Sequence, residues 1–426
     1  MIDGSANDCP LPATLQTRNL ACFAGLWCLI YLTGPISYVG VTHANLLHEL
    51  ENNDRTNNSP QAWYQWMSAA SVLVAWLLPH PRWLKPLLIG ALAAKALVTA
   101  LVVAAIWFKL SGAVVTTSVI AFGGVFGAAN AVQIMTLWEL VRRGVATGRR
   151  GTLMGWTFGL GPVMACVGSL LQQLLLSAEP ITGYSFGVAF PENYMLLFAG
   201  AIPVLLASIV LSVAFVVPPP VGESIPAAGL ADILGGLRQF LTTGPVLICA
   251  IAYVMVYSGG RAIMDNVSLH AKDVLGDESN TVGVQNFLRF GFKAVAGVLL
   301  GYLLAKTHPK ATLLATIGLL LLGMAWALTV PGWWYLLTVG WLGAGELFGA
   351  YFFNYISTAS PKSQVRVNIA YVSLMGIVVG FASVMYGQIS DNYGRIASFH
   401  VASCILVFTL LVVVLALPAR PTPRDM

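Results

Sequence analysis

Long apolar runs, interrupted by short clusters of charge, proline and asparagine, repeat along the whole chain. Runs fall at about 20–43, 61–79, 84–108, 113–141, 151–176, 193–217, 244–269, 281–305, 310–330, 333–358, 364–389 and 396–417. A helix needs about 20 apolar residues to cross a bilayer, so the pattern predicts twelve transmembrane helices. The run 113–141 ends in WELVRR, and its last turn is expected to leave the membrane. The longest polar connection, 218–243, opens on PPP and contains GLADILGGLRQFL. Its apolar residues recur at helical spacing, which predicts a short amphipathic helix lying on the membrane surface. The expected organisation is a tail (1–19), a six-helix bundle (20–217), this linker (218–243), a second six-helix bundle (244–417) and a tail (418–426).

Composition supports an integral membrane protein. The 426 residues are 57% hydrophobic and 9% charged, whereas a soluble domain carries about 25% charged residues. The six cysteines are scattered, mostly inside apolar runs, and none forms a CxxC pair or metal cluster; they read as packing residues. The first 17 residues contain no Lys or Arg, so they lack the basic region of a cleavable signal peptide. No nucleophile motif or phosphate loop occurs, so neither an enzyme nor a cofactor is expected, and no nucleic-acid partner.

Basic residues predict the orientation. With the N-terminus placed in the cytoplasm, fourteen Lys and Arg in loops and tails fall on that side. Only Arg55, Lys109, Lys272 and Arg395 fall on the other. Both termini are therefore expected in the cytoplasm of a multi-pass plasma (inner) membrane protein. Trp63, Trp66, Trp107, Trp333 and Trp334 fall near the expected interfaces.

The two halves also echo each other. LMGWTFGLGPVM (153–164) matches LMGIVVGFASVM (374–385), and VFGAAN (125–130) matches LFGAYF (347–352). TGP (33–35) pairs with SGG (258–260), and AWLLPHPRWLKPLL (75–88) with GYLLAKTHPKATLL (301–314). Four pairings in order at a slowly drifting offset predict a parallel repeat of two six-helix halves. That architecture places a solute site between the halves near the bilayer midplane.

These features resemble the major facilitator superfamily from about residue 18 to 417. RRGTLMGWTFGLGP (149–162) is similar to the superfamily's entry into its fifth helix. The resemblance implies an all-α membrane fold, alternating access and a small-molecule cargo. The family's GxxxDxxGR signature belongs in the loops after helices 2 and 8. Here those loops read WLLPHPRWLKP and GYLLAKTHPK, with Ala305 where the second aspartate would stand. The well-formed copy, GQISDNYGR (387–395), follows the eleventh run instead. Because each half consists of two inverted three-helix units, this is an equivalent place on the opposite face. Asp391 and Arg395 read either as an external latch or as a solvated turn. Helix 4 lacks the arginine of many proton-coupled members, and only Gly161-Pro162 of the antiporter glycine pattern is present.

Charges inside the apolar runs carry the functional signal, because each is costly unless it faces a cavity or a partner. Arg261 and Asp265 are four residues apart, as a structural or gating pair would be. Arg289 and Lys293 share that spacing with like charge and therefore need a nearby anion. Glu346 is the candidate protein counter-charge, either neutralising the two cations or competing for them with an anionic substrate. An anion displacing Glu346 would favour its protonation, so protons are a candidate coupling ion for symport. Tyr38, Gln65, Asn130, Gln133, Gln285 and Asn354 lie on runs that line the central cavity in this family. Lys95 is expected to snorkel or to pair locally. His43 and His48 read as interfacial polar residues rather than a metal site. Gly151, Gly155 and Gly159, and Gly376 with Gly380, have the spacing of close helix packing. Ser258–Gly260 reads either as a hinge or as plain packing.

The resulting expectation is a monomeric secondary transporter of a small organic anion or zwitterion. The alternatives are an exporter of amphiphilic, drug-like compounds and a non-transporting receptor on the same scaffold.

Overall fold

The computed structural model describes residues 11–78, 80–177, 186–218, 235, 237–238, 240–242, 244–276, 280–360, 368, 371–372 and 374–421. The linker helix expected within 218–243 lies outside the described residues, apart from helical residues 235, 237–238 and 240–242. The packing expected of Gly151, Gly155 and Gly159 lies outside them too, since only the helical backbone is described there.

The chain is all-helical. The first spanning unit, α1, comprises Ala13–Leu32, Gly34–Ser37 and Val41–Glu49. The second, α2, comprises Asp54–Asn57, Ser59–Ser68 and Ala70–Leu77. Then come α3 (Leu84–Trp107), α4 (Gly112–Gly144), α5 (Thr147–Leu176) and α6 (Glu192–Val213). In the second half, α7 runs from Gly244–Val256 through a π-turn at Tyr257–Arg261 to Met264–Leu275. It is followed by α8 (Val282–Lys306) and α9 (Pro309–Thr329). The tenth, α10, comprises Leu337–Gly345 and Phe348–Ala359, and is followed by α11 (Gly376–Tyr393) and α12 (Arg395–Ala416). Among the described residues, eight helices are long and apolar enough to cross a membrane: α3, α4, α6, α7, α8, α9, α10 and α12. The predicted twelve are thus present as helical units, but hydropathy alone supports eight. The other four fall short because α1 and α2 are broken into shorter, polar-rich pieces, the apolar part of α5 is only Leu160–Leu176, and α11 (Gly376–Tyr393) ends in a polar stretch.

The halves meet along α5 against α8 and α2 against α11. Small residues permit the approach. A Cβ on Gly380 of α11 would lie 2.4 Å from the Trp66 indole nitrogen and 3.0 Å from the Ala62 carbonyl of α2. The expected close packing at Gly380 is therefore present, whereas Gly376 makes only ordinary contacts. The π-turn coincides with the SGG segment and widens one turn of α7 where Arg261 leaves the helix.

The halves are stitched together at the face opposite the termini. Arg395 at the start of α12 pairs with Asp54 of the first half (Nε–Oδ2 2.8 Å) and with Asp273 of α7 (2.6 Å). Asp391 accepts the backbone N–H groups of Asp54 (2.7 Å) and Arg55 (3.0 Å), capping a short helix from across the interface. Deeper in, Asn58 donates to Asn266 (2.7 Å), Asn45 to Ser268 (2.9 Å) and Asn286 to Gln172 (2.9 Å). Lys272 pairs with Glu49 at 3.1 Å.

Candidate functional site

Below this seal lies a cavity of about 300 Å³, lined from both halves by α1, α2, α4, α7, α8 and α10. Its charge comes from the second half. Glu346 sits in the break of α10, between Gly345 and Phe348, where the chain no longer holds it against a straight helix surface. The close approach of α8 places its partners. A Cβ on Gly343 would lie 2.5 Å from the Arg289 carbonyl oxygen, so only glycine lets the two helices touch there.

Three cations converge on the one carboxylate. Arg289 donates from Nε to Glu346 Oε2 (3.0 Å) and from Nη2 to Oε1, a fork-to-fork pair. Lys293 Nζ reaches Oε2 at 3.1 Å, and Arg261 Nε lies 3.3 Å from Oε1. Arg261 also faces Asp265 at 3.6 Å and donates from Nη2 to the Val39 carbonyl and to Gln61 of the first half. With every group ionised, three cations against two carboxylates leave one net positive charge. Two guanidinium nitrogens, Arg289 Nη1 and Arg261 Nη1, are buried without a hydrogen bond, and the second is the atom that faces Asp265 at 3.6 Å. Asp265 is fully buried, and neither of its oxygens accepts a hydrogen bond. The cavity wall is thus backed by buried guanidinium groups whose hydrogen-bonding capacity is not filled, around a carboxylate already shared three ways. Tyr38 covers them, its ring 5.3 Å from both the Arg289 guanidinium and the Lys293 ammonium.

The expected site residues separate cleanly. Tyr38, Asn130, Arg261, Arg289, Lys293 and Glu346 line the cavity. Asn354 and Gln285 are not among its lining residues; Gln285 is buried against Thr281 at 3.1 Å. Gln133 faces Lys95 instead, and Gln65 reaches the site only through the Tyr257 hydroxyl (2.9 Å). Asp265 stands behind Arg261 rather than in the cavity. Asp391 and Arg395 belong to the seal. His43 is not interfacial: it is fully buried between Phe122 and Phe198, at 4.9 and 5.5 Å. Among the described residues no group of His, Cys, Asp and Glu could hold a metal ion. Trp27, Tyr31, Gln61, Tyr64 and Tyr257 also line the cavity without having been singled out from the sequence. For the α2 pair the signal was the spacing of Gln61, Tyr64 and Gln65, a polar face on an otherwise apolar helix.

No protein-family model and no curated protein sequence matches the chain. Solved structures do. The nucleoside transporter NupG, crystallised as a variant, superposes with a TM-score of 0.67 at 11% identity, covering 94% of this chain and 99% of the other. The D-xylose–proton symporter gives 0.66 at 13%, covering 96% and 99%. FucP, a major facilitator superfamily transporter in its outward conformation, gives 0.61 at 12%, covering 94% and 100%. The fold is that of the major facilitator superfamily transporters, and the chain is an integral, multi-pass membrane protein.

Proposed function

We propose that the protein is a secondary transporter of a small organic anion, or of a zwitterion presenting its carboxylate, and that it works by alternating access with protons as coupling ion. The observation that carries this reading is the cluster of Arg261, Arg289 and Lys293 on Glu346, inside a cavity shared by the halves. A carboxylate entering there pairs first with Lys293, then with the guanidinium groups behind it as the cluster rearranges, and neutralises the excess charge. The aromatic walls (Trp27, Tyr31, Tyr38, Tyr253 and Tyr257) suit the apolar body of such a molecule. Proton symporters among proteins of the same fold support the coupling, and a substrate anion that displaced Glu346 would favour its protonation.

The seal acts as the outer gate, with both termini in the cytoplasm as the basic residues indicate. Parting the halves there exposes Asn, Ser, Asp and Arg, which water solvates. Arg395 with Asp54 and Asp273, and Asp391 on the capped helix, are the latch.

The test is uptake of radiolabelled carboxylates into proteoliposomes under an imposed pH gradient. Lys293→Gln, which removes the cation most open to the cavity, should abolish uptake while the protein still folds. Undiminished uptake rejects the site. Loss of apolar-dye efflux instead favours the amphiphile exporter, and a wild-type protein that moves no solute under any gradient favours the receptor.

A further inference from the structure

Lys95 is a deep cation that the anion site does not use. It is 1% exposed on α3, in the first half, and among the described residues it forms no ion pair. Its ammonium donates to Asn130 Oδ1 (2.7 Å) and Gln133 Oε1 (2.6 Å) and sits 4.5 Å from the Phe126 ring centroid. Asn130 then donates from Nδ2 to the Tyr64 hydroxyl (2.7 Å), and both Asn130 and Tyr64 line the cavity.

The direction of this chain is fixed by chemistry. An ammonium only donates, so it holds the carbonyl end of the Asn130 amide toward itself and turns the NH₂ toward Tyr64. The Tyr64 oxygen is thereby an acceptor within the protein, and its own O–H is left for the cavity. A charge at the head of the chain polarises each link and strengthens the last donor. We infer that Lys95 is a positioning residue that makes Tyr64 a directed donor. The cavity then selects organic anions bearing a hydrogen-bond acceptor, such as a carbonyl oxygen, away from the carboxylate.

This inference rests on the anion reading of the site, and the experiment separates the two. The probes are straight-chain carboxylates of five to seven carbons, each paired with its methyl-ketone analogue of equal length. Binding is read as the concentration dependence of thermal stabilisation of the purified full chain. Wild-type protein should prefer the ketone by about tenfold in apparent Kd at one or more lengths, the worth of one hydrogen bond. Tyr64→Phe and Lys95→Met should lower that ratio to near one. The decisive variant is Asn130→Asp. The new carboxylate supplies Lys95 with a counter-charge, so the unliganded protein should melt at or above the wild-type temperature. Lacking an N–H, it accepts from Tyr64 and turns the phenol proton away from the cavity. A relay that merely braces the fold would keep its selectivity in this variant; loss of the ketone preference with the fold intact supports the inference. A preference that survives Asn130→Asp, or wild-type protein that binds both members of every pair equally, overturns it and leaves the anion site standing. Failure of every carboxylate to stabilise wild-type protein removes the anion site and this inference together.

Discussion

Glu346→Gln isolates the central charge. The change keeps the shape of the side chain and removes the carboxylate on which Arg289, Lys293 and Arg261 converge at 3.0, 3.1 and 3.3 Å. At an effective dielectric of 20 each contact is worth about 5 kcal/mol of gross attraction. Most of that offsets the cost of taking the ions out of water, and removing one partner of a buried pair typically costs about 3–5 kcal/mol net. Arg289 is fully buried, so the upper part of that range applies: it has no solvent to turn to, and the three cations now repel one another. The variant should therefore melt well below the parent in low salt. It should also be restored by small anions that enter the cavity beside Lys293 and Arg261 and supply the missing charge. An anion at 100 times its Kd returns about 2.7 kcal/mol. The measurement is a melting curve in detergent with rising formate, acetate or chloride, beside the same titration of the parent. A variant that melts with the parent, or one that no anion restores, would refute the account of the cluster as an anion site.

Two further outcomes follow from the seal and its lining. Arg395→Ala removes the link between Asp54 and Asp273 and should shift the population toward the state open opposite the termini by tenfold or more, about 1.4 kcal/mol. Faster labelling of a Ser268→Cys thiol by a membrane-impermeant maleimide reads this, and an unchanged rate would show that the latch bears no load. Gly40→Ala should destabilise the protein by about 1–3 kcal/mol. Gly40 has φ +140°, and a Cβ there would lie 2.5 Å from Asp265 Oδ1; a melting temperature equal to the parent's would contradict that reading.

The sequence revealed the scaffold because bilayer-length apolar runs and a half-to-half repeat are local patterns. It also pointed to Arg289, Lys293 and Glu346, since like charges four residues apart in oil demand an answer. It placed Arg261 with Asp265 alone, because helical spacing is visible in a sequence and the bite of α7 across to α10 is not. Asn130 and Gln133 looked equivalent on paper. Only the three-dimensional position of Lys95 shows that one faces both the lysine and the cavity while the other faces the lysine alone. GQISDNYGR was recognisable as a motif, but its partners Asp54 and Asp273 lie 341 and 122 positions away in the chain.

The carboxamide and hydroxyl character of the seal has a thermodynamic consequence. Hydrating hydrocarbon raises heat capacity, whereas hydrating polar surface lowers it slightly. Parting Asn45 from Ser268, Asn58 from Asn266 and Arg395 from its aspartates hydrates polar surface, which offsets part of the rise from apolar neighbours such as Leu46, Leu47 and Val267, buried in one cluster that spans the halves. Opening this seal should therefore change the heat capacity less than parting an all-apolar seam of equal area would.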